Sequence, residues 1–600
     1  MRHQARDAWI LGLAGAAAMG GALLARSGRA EDGATTVSAP PRRNTYAEGL
    51  ATSIDAHLEA RIKKAGLAVS PPCDDAEFLR RVSIDLVGVP PAPDEVVSFL
   101  ADQTSGKRER KVDELLTKPE HAHHWAEIWT DLVEMDAKGI EGNREARIRV
   151  RLRDWFEEKL QKNVPFDETV RELLTAEGFI DENGAVGYFM AYQQDAKQLT
   201  ATASRTFMGL QIECAQCHDH PFADWKREQF MGMAAFFSRV RPLRENLPKD
   251  AKDAQGKQKM PHLGVQEGDR GELVLDEKDQ PVDPKAQLKA LKEKMQAAKQ
   301  GTAPGQKGAA AKAGMPPVMA ARRVVDPAFI VPALAVPRDA KSRRDALARL
   351  VTDDRNPYFR AAITNRLWSL LTGRAIVATT EDLSDKDAGK DRELLTILER
   401  GFRDMKCDHK EILRSIAKTK AYARTSRGAA DDKLEGSYAK GVVRPIDGRA
   451  LARTLTAALF MGERTLDQGR KQQEEQILTA FERLFGETTI DPKKYEETIP
   501  QALKMFVGGP MQGGGGKRPR DIPLPTQGAT PVAALGRLLS RYDDPRERVT
   551  RIYLASVCRP PRKPELDMAL KFVEEAGKGP DAYEDLMWAL VNSSEFRFNR

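Results

Sequence analysis

Two cysteines and a histidine stand close together near the middle of the chain, in the run from Glu213 to Pro221, which is ECAQCHDHP. The pattern C-x-x-C-H is the attachment motif of haem c. Its spacing has a physical reason, since two thiols three residues apart reach the two vinyl groups of one porphyrin edge and the next residue brings its imidazole under the iron. The sequence therefore predicts that Cys214 and Cys217 hold haem c through thioether bonds and that His218 is an axial iron ligand.

The same segment is compatible with other groups. Two cysteines of this spacing can form a redox or structural disulfide, although redox pairs of this type normally follow a strand of a βαβ unit, and this sequence shows no such unit. Zinc would use Cys214, Cys217 and His220 with one further ligand, but no second Cys/His pair follows within about twenty residues, as is usual in zinc sites. Haem is the leading prediction, and zinc or a disulfide is the alternative.

A haem iron has a second axial position, for which the sequence offers candidates. Met231 and Met233 follow the motif on an amphipathic segment, and His124 belongs to a cluster with His121 and His123. Thioether and imidazole groups both serve as axial ligands of haem iron. We name Met231, Met233 and His124 as candidate second ligands, although for each of them a place in the core or on a solvated surface is the simpler interpretation.

A dense basic stretch precedes the motif. It contains five arginines within ten residues, at Arg144, Arg147, Arg149, Arg151 and Arg153. Because a guanidinium group binds a carboxylate through two parallel hydrogen bonds, one of them is a candidate for holding a haem propionate. A solvated helix face is the simpler interpretation.

The first thirty residues indicate a compartment. Arg2 and Arg6 precede an uncharged run from Trp9 to Leu24, and Gly28-Arg29-Ala30 follows. A basic start, a short apolar segment and small residues before the cleavage point are typical of a secretory signal peptide. We therefore predict that residues 1–30 are a signal peptide cleaved near Ala30 and that the mature protein is periplasmic or secreted, where haem c is attached. An uncleaved anchor is the alternative.

The composition excludes several classes of protein. The chain has 600 residues, of which 41% are hydrophobic and 30% charged, and its formal net charge is +7. Charges of both signs alternate along it, so no nucleic-acid-binding face is expected. Beyond the first thirty residues no stretch approaches the ~20 apolar residues of a membrane helix, so no integral span is expected in the mature chain. We expect other exported redox or envelope proteins as partners.

Helical patterns dominate the rest of the chain. The first of them places apolar residues four apart, at Leu50, Ile54, Leu58 and Ile62. Residues 243–324 are rich in Lys, Asp, Gln, Gly and Ala, which predicts a flexible linker. Residues 325–600 are again helical in pattern, apart from a glycine-rich loop at residues 508–527. The predicted fold class is mostly α, with two α-helical domains joined by a long, charged, low-complexity linker.

Several motifs of the first half resemble one family. They are Phe78 to Pro91 (FLRRVSIDLVGVPP), Trp125 to Leu132 (WAEIWTDL), Val164 to Asp167 (VPFD), and Cys214 to Phe222 followed by Trp225. Residues 46–242 therefore resemble the domain of unknown function 1549, the planctomycete-type cytochrome c-like domain. The resemblance implies an exported bacterial protein that is cytochrome-like because of its C-x-x-C-H motif. It implies no catalytic residue.

The second half is similar to the usual companion of that family, the domain of unknown function 1553. The motifs that carry this likeness are Asn365 to Trp368 (NRLW), Gly373-Arg374, Arg559-Pro560-Pro561, and Trp588 to Leu590 followed by Asn592-Ser593. The likeness covers most of residues 325–600. Nothing in the residues names a substrate, so a redox enzyme that passes electrons through the haem stands beside simple electron transfer. The competing function is that of a secreted scaffold or binding module without haem.

Overall fold

A computed structural model gives the fold of this chain. It describes residues 45–134, 143–245, 262–275, 323–377, 379–383, 391–427, 436–459, 531–577 and 579–600. The predicted signal peptide of residues 1–30 and the predicted loop of residues 508–527 lie outside the described residues, as does most of the predicted linker of residues 243–324. Thr45–Arg600 form one compact unit.

Helices of the first half begin and end at signals that are visible in the sequence. Helix α2 (Asp75–Val87) begins after Asp74, whose carboxylate accepts a hydrogen bond from the backbone N–H of Glu77 at 2.8 Å, and it ends at Gly88, whose φ is 68°. Such caps satisfy backbone groups that have no partner within the helix. The other helices of this half are α1 (Thr45–Lys64), α3 (Pro93–Ala101), α4 (Lys107–Thr117), α5 (Pro119–Glu134), α6 (Asn143–Gln161), α7 (Phe166–Thr175), α8 (Gly187–Ala191), α9 (Ala196–Met208) and α10 (Arg227–Ala234).

The second half is equally helical, and side-chain caps again mark helix starts. Asp391, for example, accepts a hydrogen bond from the backbone N–H of Leu394 at 3.0 Å. The helices are α11 (Arg343–Val351), α12 (Phe359–Thr372), α13 (Arg392–Asp404), α14 (His409–Ala417), α15 (Lys420–Ala423), α16 (Gly448–Leu459), α17 (Pro531–Arg541), α18 (Pro545–Val557), α19 (Lys563–Glu575), α20 (Pro580–Val591) and α21 (Ser594–Arg597). The predicted mostly α fold class is confirmed. Within the described ranges, no helix is both long and apolar enough to cross a membrane.

Short antiparallel strands complete the fold. They are β1 (Gly178–Phe179), β2 (Val240–Arg244), β3 (Leu263–Glu267), β4 (Leu273–Leu275), β5 (Arg323–Val325), β6 (Arg444–Pro445) and β7 (Phe598–Asn599). The first three form a sheet in the order β1-β3-β2, while β4 pairs with β5 and β6 with β7. Strands β3 and β4 lie within residues 243–324, so the described part of the predicted linker pairs with chain on both sides of it.

The two halves share one apolar core. Trp125 and Trp129 from α5 and Trp368 from α12 are all fully buried, and they belong to a single cluster of buried residues that runs through both halves. Helix α1 packs against α13 and α14. Burial of apolar surface is the main favourable term in folding, so the stability of each half depends on the other.

A buried carboxylate joins the two halves as well. Asp85, from α2, accepts hydrogen bonds from the hydroxyl group of Tyr422 at 2.8 Å and from the side-chain amide of Asn599 at 2.7 Å, and it pairs with Arg444. Burial raises the pKa of Asp85 and the Arg444 guanidinium opposes that shift. Because a charge taken out of water needs compensating partners, these contacts from distant parts of the chain fix the position of α2.

Three buried histidines lie in this core. His121 donates a hydrogen bond from Nδ1 to the backbone oxygen of Leu86 at 2.8 Å, and the indole N–H of Trp129 donates to Nε2 of His409 at 3.2 Å. Burial lowers the pKa of His121 and that of His124 to about 3, and it lowers the pKa of His409 strongly. All three imidazoles are therefore neutral near pH 7, as packing in an apolar core requires.

Replacing Gly88 with alanine is expected to lower the free energy of unfolding by about 2–5 kcal/mol. The left-handed backbone at this position, with φ of 68°, costs a residue with a side chain about 1–2 kcal/mol. The added Cβ would also lie 2.5 Å from Nδ1 of the buried His124 ring, so that ring would have to move. Gly66→Ala is the matched control, because Gly66 has φ of 63° and nothing within 4 Å of an added Cβ.

Urea unfolding of both glycine variants measures the difference. The control is expected to lose only the backbone term of about 1–2 kcal/mol. Equal losses in Gly88→Ala and Gly66→Ala would contradict the packing of His124 on Gly88.

Candidate functional site

Cys214 lies in a short 3₁₀ helix, Glu213–Gln216, that follows α9, and Cys217 is the residue directly after the end of this helix. Residues three apart stand on the same side of such a helix. Ile212 and Ala215 accordingly face the core and are fully buried, whereas Cys214 and Cys217 are both exposed, with free thiols. The local fold therefore anchors the motif through its apolar positions and leaves both cysteines exposed to solvent.

His218 is exposed, and its ring is held by the backbone. Its Nδ1 atom lies 2.7 Å from the carbonyl oxygen of Asp219. Because a carbonyl oxygen only accepts hydrogen bonds, this contact assigns the ring proton to Nδ1 and leaves the lone pair on Nε2. Histidines that ligate metals normally have their second ring nitrogen held in this way. His218 thus has the free Nε2 lone pair that the predicted ligation requires.

Hydrogen bonds to the Asp219 side chain hold the loop that follows. Its carboxylate accepts hydrogen bonds from the backbone N–H of Arg227 and from Nζ of Lys226, both at 3.0 Å. These two contacts, the first of them most strongly, lower the pKa of Asp219, so the carboxylate is ionised at neutral pH. These hydrogen bonds connect Asp219, the residue next to His218, with the start of α10.

His220 has a different role from His218. Its Nδ1 accepts hydrogen bonds from the backbone N–H groups of Phe222 and Ala223, at 3.2 and 2.9 Å, and its own backbone N–H donates to the carbonyl oxygen of Trp225 at 2.8 Å. The lone pair of the neutral ring is therefore already used, and the proton is on Nε2. His220 closes a turn, and this does not suit the zinc alternative. In the described parts of the chain, no group of three or more His, Cys, Asp or Glu residues is arranged to hold a metal ion.

The candidate second axial ligands are buried. Met231 and Met233 lie in the core on α10, with 1% and 0% of their surface exposed, and α10 packs against the 3₁₀ helix of the motif. His124 is also buried, and its ring contacts Gly88 and Trp125. Methionines on α10 therefore lie on an element next to the motif, whereas His124 packs against the end of α2. Ligation by any of them stays a prediction.

The basic stretch on α6 has partners within the chain. Arg149 pairs with Glu134 and Asp131, Arg153 with Asp154, and both Arg147 and Arg151 with Asp181. The side chain of Arg144 lies outside the described residues. These ion pairs occupy four of the five guanidinium groups that the sequence suggested for a haem propionate.

Two side chains after the motif, Trp225 in the loop and Arg227 at the start of α10, have buried donor atoms without partners, and the sequence did not single them out for a role. The indole N–H of Trp225 and the Nε and Nη2 atoms of Arg227 are buried and have no hydrogen-bond partner. Buried donors without partners are costly, and one common explanation is a group that binds there. The surroundings of the motif therefore fit an anionic group such as the propionate of a haem. Phe222, which is 95% exposed, adds an apolar surface in the same loop.

The other three cysteines are structural. Cys73, Cys407 and Cys558 are all buried with free thiols. Burial raises the pKa of each thiol, that of Cys407 to about 12. A buried thiol with a raised pKa is unreactive, so Cys73 and Cys407 serve as packing groups, while the sulfur of Cys558 also accepts a hydrogen bond from Nη1 of Arg80 at 3.3 Å.

Comparison with known families agrees with the sequence motifs. Residues 53–242 match the family PSCyt2, described as a protein of unknown function (DUF1549), and residues 343–573 match PSD1, described as a protein of unknown function (DUF1553). Searches of curated proteins and of solved structures gave no match. The first region contains Cys214, Cys217 and His218. The chain therefore belongs to the proteins in which a DUF1549 region is followed by a DUF1553 region.

Proposed function

We propose that this protein is an exported, c-type cytochrome-like haem protein that transfers electrons. Cys214 and Cys217 form the two thioether bonds, and His218 ligates the iron through Nε2. Haem iron, when bound, takes up and releases one electron. Other exported redox or envelope proteins are the proposed electron partners.

The observation that carries this proposal is the orientation of His218. The hydrogen bond from Nδ1 to the Asp219 carbonyl oxygen leaves Nε2 free for a metal, and His218 directly follows the second of two exposed thiols. His220, the histidine that the zinc alternative requires, uses its lone pair in a turn instead. The hydrogen bonds therefore favour the ligand set of haem c over that of zinc.

The loop from residue 218 to residue 227 keeps the ligand in place. Asp219 is pinned by Lys226 and Arg227, and His220 joins Trp225 and the Ala223 backbone. A ligand that is held before the metal arrives loses little conformational entropy on binding, so these contacts serve ligation. The exposure of both thiols keeps them accessible to the machinery that would attach haem.

Export is the second part of the proposal, and it depends on residues 1–30. The basic start, the uncharged run from Trp9 to Leu24 and the small residues around Ala30 support a cleaved signal peptide. Haem c is attached outside the cytoplasm. The two features share no residue and support the same compartment.

The test is to produce the full chain in a bacterial host that attaches haem to exported proteins. We expect an intact mass equal to the chain without residues 1–30 plus one haem, a Soret band that survives denaturation and organic extraction, and one iron per chain. The Cys214→Ala/Cys217→Ala variant is expected to lose the covalent haem, whereas Cys73→Ala, which changes a buried cysteine, is expected to keep it. A colourless protein with the mass of the polypeptide alone, or one zinc per chain, would overturn the proposal.

A further inference from the structure

Two arginine side chains among the described residues show how one edge of a guanidinium group binds both oxygens of a carboxylate. The Nε and Nη2 atoms lie on the same edge of the guanidinium group and can meet both oxygens of a carboxylate. Arg355 binds Asp353 in this way, with both hydrogen bonds at 2.9 Å, and Arg559 binds Glu595 at 2.8 and 2.7 Å. The Nε/Nη2 edge is thus one of the two edges that bind carboxylates here, since Arg559 also binds Glu565 through Nη1 and Nη2.

Arg227 has the same edge without a carboxylate. Its Nε and Nη2 atoms are both buried and unpartnered. Among the described residues, no other arginine leaves both atoms of this edge buried and unpartnered. Buried guanidinium donors without an acceptor are unfavourable, so this edge calls for an acceptor, such as a carboxylate, that the described residues do not provide.

Arg227 is also close to the proposed haem ligand along the fold. Its backbone N–H donates to the Asp219 carboxylate at 3.0 Å, and Asp219 is the residue that holds the ring of His218. Trp225, two residues earlier, adds a second buried donor, its indole N–H. The carbonyl oxygen of Trp225 accepts from the backbone of His220, so it too is tied to the motif.

We propose that the Nε/Nη2 edge of Arg227, assisted by the indole N–H of Trp225, binds a propionate group of the haem. This inference rests on the proposed haem function and adds a positioning residue to it. The Arg227 guanidinium neutralises the propionate charge near the iron. Without it, an uncompensated negative charge favours the oxidised, more positive iron, so the reduction potential falls.

The test compares haem-loaded wild-type protein with Arg227→Gln, Arg227→Lys and Trp225→Phe. Arg403→Gln, which removes a surface arginine that is 51% exposed on α13, is the matched control for the loss of one positive charge. Intact mass first establishes that each protein carries covalent haem, and circular dichroism establishes that each is folded. Spectroelectrochemical titration then gives the reduction potential.

We expect Arg227→Gln to lower the equilibrium constant for reduction about tenfold, which is about 59 mV for one electron. Arg227→Lys keeps the charge but not the two-bond geometry, and Trp225→Phe keeps the ring but not the donor, so each is expected to give about a threefold decrease. These two milder variants carry the test if Arg227→Gln does not fold. Arg403→Gln is expected to leave the potential unchanged.

The outcomes separate this inference from the function on which it rests. Covalent haem in all proteins, with the potentials of the Arg227 and Trp225 variants equal to that of Arg403→Gln, would overturn the propionate contact and leave the haem function standing. A wild-type protein without covalent haem would overturn both.

Discussion

Replacing His218 with alanine is expected to remove the imidazole from the haem iron, whereas replacing His220 with asparagine is expected to leave the iron unchanged. His218 has a free Nε2 lone pair because its Nδ1–H is held by the Asp219 carbonyl oxygen. His220 instead accepts two backbone hydrogen bonds within its own turn. The two histidines are two residues apart and of the same type, so they form a matched pair.

The asparagine substitution is chosen to keep the turn. Its side-chain oxygen can accept the backbone N–H groups of Phe222 and Ala223 in place of Nδ1, as asparagine does in turns. His220→Ala would leave these two donors without their acceptor and is expected to lower the free energy of unfolding by about 1 kcal/mol. Any loss of iron ligation in His220→Ala alone would therefore be attributed to the turn.

The measurement is the optical spectrum of the haem-loaded variants with and without added imidazole. His218→Ala is expected to lose the spectrum of an imidazole-ligated iron and to recover it when imidazole is added, because the small molecule can occupy the space of the missing ring. His220→Asn is expected to match the wild type without any addition. The reverse pattern, with ligation lost in His220→Asn and kept in His218→Ala, would refute the assignment of His218 as the iron ligand.

Much of the local structure was predictable because the signals for it are local. Asp74 before α2 and Gly88 after it are standard helix boundaries, and the spacing of Leu50, Ile54 and Leu58 already predicts the buried face of α1. The mostly α class follows from such patterns. What they could not predict is the contact between the halves, because it joins residues far apart in the chain.

Asp85 illustrates this limit. It lies inside a motif of the first half, yet its partners Tyr422 and Asn599 are 337 and 514 residues away. Nothing in the periodicity of α2 indicates that one of its polar positions is buried against the end of the chain. The shared core was unpredictable for the same reason, since hydrophobic patterns show that a helix has a buried face but not which helix covers it.

In the candidate site, too, some features are predictable from the sequence and others require the structure. The C-x-x-C-H spacing is local, so Cys214, Cys217 and His218 are identified from the sequence alone. The difference between His218 and His220 is also local in sequence, but it depends on which backbone groups the ring nitrogens meet, and that requires coordinates. Arg227 was not identifiable because arginines are abundant and most find a carboxylate, and only the structure shows that the Nε/Nη2 edge of this one does not.

The second large effect concerns pH. Acidification from pH 7.5 to pH 5.0 is expected to lower the free energy of unfolding of the haem-free chain, and two buried histidines, His121 and His124, together contribute a loss of about 4 kcal/mol to that change. Burial lowers the pKa of each to about 3 in the folded state, against a value near 6.5 in an unfolded chain. Below pH 6.5 the unfolded chain therefore binds protons that the folded chain does not, and stability falls until the pH reaches about 3.

The magnitude of this loss follows from how far the pH lies below the pKa of each histidine in the unfolded chain, while it stays above the pKa in the folded chain. At pH 5.0 each histidine contributes a loss of about 2 kcal/mol, since the pH is about 1.5 units below the unfolded pKa and one unit corresponds to about 1.4 kcal/mol. His409, whose pKa burial also lowers strongly, acts in the same direction. Urea unfolding at the two pH values measures the total.

Two variants isolate the cause. His121→Asn keeps a side-chain N–H that can donate to the Leu86 carbonyl oxygen but does not titrate, so the loss between pH 7.5 and 5.0 is expected to shrink by about 2 kcal/mol. His123→Asn is the control, and we expect it to change the pH dependence of stability in the opposite direction. Burial opposes the charged form of His123, but hydrogen bonds to Glu127 and Glu157 prevail and raise its pKa to about 9.

The opposite sign follows from that raised pKa. The stabilisation that His123 provides is complete below pH 6.5 and is lost as the pH rises through 9, so it strengthens the folded state over the same acidification that weakens it at His121. Removing it should make the loss of stability between pH 7.5 and 5.0 steeper. If instead both variants show the wild-type difference between the two pH values, the acid sensitivity arises elsewhere and the neutral, buried state of His121 is wrong.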